Sequence, residues 1–96
     1  MSLSKEEALI VVILERFTKI RFPKALAIKE KVEKGETLND MDIEFFEEVF
    51  ADIKSNQHLV DGNEELQALA AKFIHFNKEI TDKALANENN KSKSNY

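Results

Sequence analysis

At 96 residues the chain has room for one domain with a single core. Zero cysteine excludes a disulfide framework and thiolate metal sites, so a core this small must be supplemented by packing or by self-association. The net charge of -4 is unevenly spread: residues 1–34 carry eight Lys/Arg against five acids, residues 35–70 one lysine against ten acids, and the remainder five lysines against three acids.

A nucleic-acid binder would show a basic excess on one face, whereas this acidic centre suits a basic protein partner. The longest apolar run, Ala8 to Leu14, is far shorter than the roughly 20 residues a membrane-spanning helix needs. It follows Glu6 and Glu7 where a signal peptide would be cationic, so the expectation is an unexported, cytoplasmic protein without membrane contact. Met1, Ser2 and Leu3 read as an expression remnant and are left out of the functional reasoning.

Ser4 and Glu7 are spaced as a capping box that starts the first helix. Its inward stripe, at about 100° per residue, takes in Leu9, Ile13, Phe17 and Ile20 with Ile10 and Leu14 beside them. Val11 and Val12 fall outside that stripe. Pro23 biases Phe22 toward an extended conformation, so the first helix is expected to stop near Arg21. A short second helix then starts at Pro23 and runs to about Lys34, with Ala25, Ile28 and Val32 inward and Gly35 as its left-handed stop.

Asn39 and Asp42, flanked by Leu38 and Ile43, form the clearest helix start in the chain: an N-cap inside a hydrophobic staple. The inward face of this third helix is Ile43, Phe46, Val49, Phe50 and Ile53; Glu44, Glu47 and Glu48 face water, and Met41 and Phe45 lie off the face. A polar connection over residues 55–63 follows, in which Leu59 and Val60 plug the end of the bundle. The fourth helix starts near Asn63 and carries Leu66, Leu69, Ala70, Phe73, Phe76, Ile80 and Ala84 on one stripe, with Asn77 at that stripe's edge or within it. Residues 87–96 have no apolar period and read as a disordered polar tail. The expected fold is all-α: a small bundle of four helices over residues 1–86, the second of them short.

No catalytic constellation or cofactor is implied by these residues. His58 and His75 read as plain polar residues, since neither is preceded by the Glu that di-iron bundles require. The oxygen ligands of Asp40, Asp42 and Glu44 begin like an EF-hand loop, but Phe45 stands where that loop needs glycine and Ala51 where it needs Glu, which leaves helix capping as their explanation. The basic cluster Arg16, Lys19, Arg21 and Lys24 offers one alternative, weak binding of nucleic acid or an acidic partner.

A second alternative is enzymatic. The pairs Glu44 with Glu47 and Glu79 with Asp82 resemble the ExxE and ExxD pattern of the all-α nucleotide pyrophosphohydrolases, the MazG-like family. The resemblance implies four carboxylates from facing helices that hold Mg²⁺ on a nucleotide's phosphates. The preferred reading is protein association as a homodimer, because Val11, Val12, Met41, Phe45 and Ile74 are apolar residues in excess of the inward stripes.

Overall fold

In a computed structural model of the chain, described from Ser4 to Ser94 with side chains to Asn90, every element among the described residues is helical. The order is α1 (Lys5–Arg16), a π-helical turn (Phe17–Arg21), α2 (Phe22–Glu33), α3 (Asp40–Ser55), a single-turn α4 (Gln57–Asp61) and α5 (Glu64–Ser94). Residues 1–3 and the last two positions of the expected tail lie outside the described residues. None of the helices is long and apolar enough to cross a membrane.

Both predicted caps are formed. The Glu7 amide donates to Ser4 Oγ at 3.1 Å while the Ser4 amide donates to Glu7 Oε1 at 3.3 Å. At α3 the Asp42 amide donates to Asn39 Oδ1 at 2.9 Å and the Asn39 amide to Asp42 Oδ2 at 3.1 Å. Each reciprocal pair satisfies two backbone donors that the first helical turn leaves without partners. Gly35, at φ 100, ends α2 as expected. The Gly35 amide donates to Val32 O and the Glu36 amide to Lys31 O, the two bonds of a Schellman motif.

The expected break at Pro23 does not occur. Phe22 is helical, at φ -64 and ψ -45, and its amide reaches back five residues to Phe17 O. Pro23 sits in the first turn of α2, where its missing N–H costs nothing, and the wide turn ahead of it absorbs the steric mismatch with the preceding carbonyls. The Thr18 hydroxyl donates to Leu14 O and Glu15 O on entry to this turn. One consequence is a changed inward row. Ile10, Ile13 and Leu14 pack against neighbours, while Leu9 and Ile20, expected inward, are exposed.

Phe73 of α5 is fully buried and stands at ring-centroid distances of 5.5 to 6.1 Å from Phe17, Phe22, Phe45, Phe46 and Phe50. Phe45 was expected off the packing face, yet it is only 7% exposed. The aromatic cluster approaches α3 from a wider arc than one stripe, and the Lys24 ammonium lies 4.8 Å above the Phe45 ring. Ile43 is corrected in the other direction, from the inward face to an exposed position. A second cluster joins Leu59 and Val60 to Leu66, Ala70 and the inner side of α1, so the expected plug is present, with α4 as an added helical turn.

The tail expected from residue 87 overlaps the helix. Asn87 is buried, and its Nδ2 donates to Val32 O at 2.7 Å and Glu36 O at 2.8 Å, tying α5 to the end of α2. The packed body therefore extends one residue past the expected boundary, and the backbone of α5 stays helical to Ser94. Asn77, left open between edge and interior, is half-buried. Replacing Asn87 with Ala should destabilise the protein by about 1–3 kcal/mol, because the buried amide's two hydrogen bonds, to Val32 O and Glu36 O, are lost together. Urea unfolding of the two proteins, at equal m-value, measures that difference.

Candidate functional site

The molecule extends 66 × 20 × 19 Å, and α5, whose 31 residues span about 46 Å at 1.5 Å each, supplies the larger part of its long dimension. A body this thin encloses few side chains completely, and α1 shows the result: none of its twelve residues is buried. Val11 is 43% exposed and Val12 49%. Beside them Val11, Leu14 and Thr18 face Ala68 and Leu69 of α5 across an open apolar groove of about 420 Å³, with Glu15 and Glu65 at its rim.

The outward face of α1 has an internal symmetry. Counting from Ile10, six of the nine exposed residues of α1 lie in matched pairs: Leu9 and Val11 one residue away, Ala8 and Val12 two, Lys5 and Glu15 five, with Glu6, Glu7 and Arg16 outside the pairing. Lys5, Ala8, Val12 and Glu15 follow the 3-4-3 spacing of a coiled-coil seam. Among the described residues neither Lys5 nor Glu15 takes part in an ion pair.

The other proposed interface residues do not join this face. Met41 is exposed in the first turn of α3 and Ile74 on α5. Phe45 is withdrawn from the set, being part of the core.

The four carboxylates of the pyrophosphohydrolase resemblance are not brought together. Glu44 and Glu47 are exposed on α3. Glu79 meets Lys29 Nζ at 3.3 Å and His75 Nε2 at 2.6 Å, and Asp82 meets Lys78 Nζ at 3.1 Å. Among the described residues no three His, Asp or Glu side chains are placed to hold a metal ion. The donor set thus does not fit the magnesium site that the resemblance implies. His58 is exposed on α4.

The basic cluster is divided as well. Arg21 is paired with Asp52 and lies over the Phe17 ring, and Lys24 covers Phe45, which leaves Arg16 and Lys19 as the exposed members without such an engagement.

The surroundings of Asp42 act on its carboxyl in two opposing ways. Its burial opposes ionisation, but a hydrogen bond from Lys31 Nζ at 2.6 Å, another from the Asn39 amide and the charges of Lys31 and Lys24 hold its carboxyl below the ordinary value of 3.8. Comparison of the chain with family models, curated proteins and solved structures finds no match.

A carboxyl with a depressed folded-state pKa contributes stability that is complete above its unfolded value and is lost as the pH falls through the folded one. The stability gap between the native protein and an Asp42→Asn variant should therefore be widest above about pH 5 and narrow below the ordinary value of 3.8. Urea midpoints of both proteins from pH 7 to pH 2.5 follow the gap; a constant gap would mean that Asp42 acts through packing alone.

Proposed function

We propose that the chain is a helical association module that pairs with a second copy of itself through the outward face of α1. The observation that carries this reading is the symmetry about Ile10 on a helix with no buried residue. In an antiparallel two-fold pairing the seam residues meet their matches on the other copy, so Lys5 lies opposite Glu15 and Ala8 opposite Val12, while Leu9 and Val11 flank the seam on its two sides, each beside its own counterpart. A parallel pairing would instead set Lys5 against Lys5 and Glu15 against Glu15, and the two helix dipoles would repel.

The magnitude sets the expected strength. Leu9, Val11 and Val12 of both copies are each about half exposed, so covering them contributes roughly 1 kcal/mol per side chain. That is comparable with the lower end of the roughly 4–15 kcal/mol that association costs. The dimer is accordingly expected to be weak and dependent on concentration, with the groove against α5 accepting part of the second copy.

Light scattering across a concentration series should show a mass rising toward that of a dimer, and a Val11→Glu, Val12→Glu variant should remain a folded monomer at every concentration. Lys5→Glu should weaken the dimer, and Lys5→Glu combined with Glu15→Lys should restore it. Both substitutions suit the helix dipole, so neither acts by unfolding α1. A native protein that stays monomeric throughout would overturn the reading.

A further inference from the structure

A second opening is distinct from the α1 face. It is a cleft of about 440 Å³ between α3 and α5, floored by Phe46, Phe50 and Ala84. Its origin is steric. Ala25, with no exposed surface, allows α2 to lie close against α5, whereas α3 is held off α5 by the tilted and edge-on rings of Phe46, Phe50 and Phe73. The lips are apolar and exposed: Ile43 on α3, 43% exposed, and Leu85 on α5, 54% exposed. Asn77 and Thr81 place polar groups partway along the α5 side.

Three features define what fits. The α5 wall from Asn77 to Glu88 is about 16 Å long at 1.5 Å per residue, the length of three helical turns. An apolar floor with exposed lips matches a helix that inserts anchors at i, i+3 or i+4, and i+7. The charged residues that line the cleft, Glu47 and Glu88, are both acids, and Asp40, Glu44 and Glu48 add exposed acids on α3. On the facing helix Lys78 is already paired with Asp82.

We infer that the cleft between α3 and α5 is the docking site for a basic amphipathic helix of a different protein. This chain does not itself supply such a helix. The exposed charges of α1 are three acids, Glu6, Glu7 and Glu15, against two bases, Lys5 and Arg16, and the basic residues Lys91 and Lys93 stand in a stretch of sequence, residues 87–95, without apolar residues. The acidic rim steers a cationic partner and rejects an anionic one, while the polar pair Asn77 and Thr81 favours a helix with a polar side chain in its middle turn.

The probe is a fluorescein-labelled 18-residue helix of leucine and lysine with leucines at i, i+3, i+4 and i+7, titrated with the full chain and followed by anisotropy. The expected result is binding at least tenfold tighter than that of a scrambled peptide of the same composition, and no binding of a leucine and glutamate counterpart. Glu47→Lys with Glu88→Lys should weaken it at least tenfold, and Leu85→Asn several-fold, while the Val11→Glu, Val12→Glu variant binds as the native protein does. All these positions are exposed, and circular dichroism establishes that each variant keeps its helical content. Equal binding of the scrambled peptide, native-like binding by the cleft variants, or no binding at all would each overturn the proposal. Because the α1 variant is a separate arm, failure here is distinguishable from failure of the dimer.

Discussion

Phe73 is the contact on which the rest of the structure depends. One side chain on α5 is met by rings from the π-helical turn, from the start of α2 and from three positions of α3, so a single residue fixes where three other segments stand. Edge-on and tilted arrangements of this kind contribute about 0.5–1.5 kcal/mol per pair beyond the area they bury. They also explain the passage across Pro23. Phe17 and Phe22, five residues apart, both reach Phe73, and a straight α-helix would separate them by about 140° of rotation at 100° per residue. A π-helical turn brings residues spaced by five closer to one face, so the requirement of the core and the tolerance of proline for a widened turn act in the same direction.

The same hub creates the two surfaces that remain uncovered. Large rings make the core thick where α3 meets α5, which opens a cleft beside them. Where the rings end, the second cluster of Leu59, Val60, Leu66 and Ala70 is smaller and grips only the inner side of α1. The two surfaces draw on separate stretches of α5, residues 65–69 beside α1 and residues 77–88 beside α3. Occupation of one therefore requires no rearrangement of the other.

What the sequence made legible was whatever is determined locally. The caps at Ser4 and Asn39 and the stop at Gly35 each depend on residues within a few positions of one another, and each formed as the spacing indicates. The outward position of Val11 and Val12 likewise followed from helical angle alone. Three features were illegible because they depend on remote partners. Phe45 packs on the Phe73 ring of α5 under the Lys24 side chain of α2, beyond any stripe visible in α3 itself. Asn87 looks like tail composition until the carbonyls of Val32 and Glu36, more than fifty residues earlier, are placed against it. The cleft depends on the distance between two helices, a quantity with no periodic signature in either.

Charge shows how folding changes the meaning of composition. In the sequence a basic first third precedes an acidic middle, which suits a basic partner for the middle. The structure uses the basic residues selectively: Arg21 goes to Asp52, Lys31 to Asp42 and Lys29 to Glu79, while Lys24, Lys29 and Lys72 lie over the aromatic rings. The acids satisfied within α3 are Asp42 and Asp52, both half-buried, and the acids on its outer side gain no cation. Covering the rings with lysine stems keeps the aromatic cluster dry, but it occupies the charges that would otherwise neutralise α3. The acidity beside the cleft is thus a consequence of how the core is shielded, which links the sign of the partner that the cleft attracts to the aromatic hub that holds the cleft open.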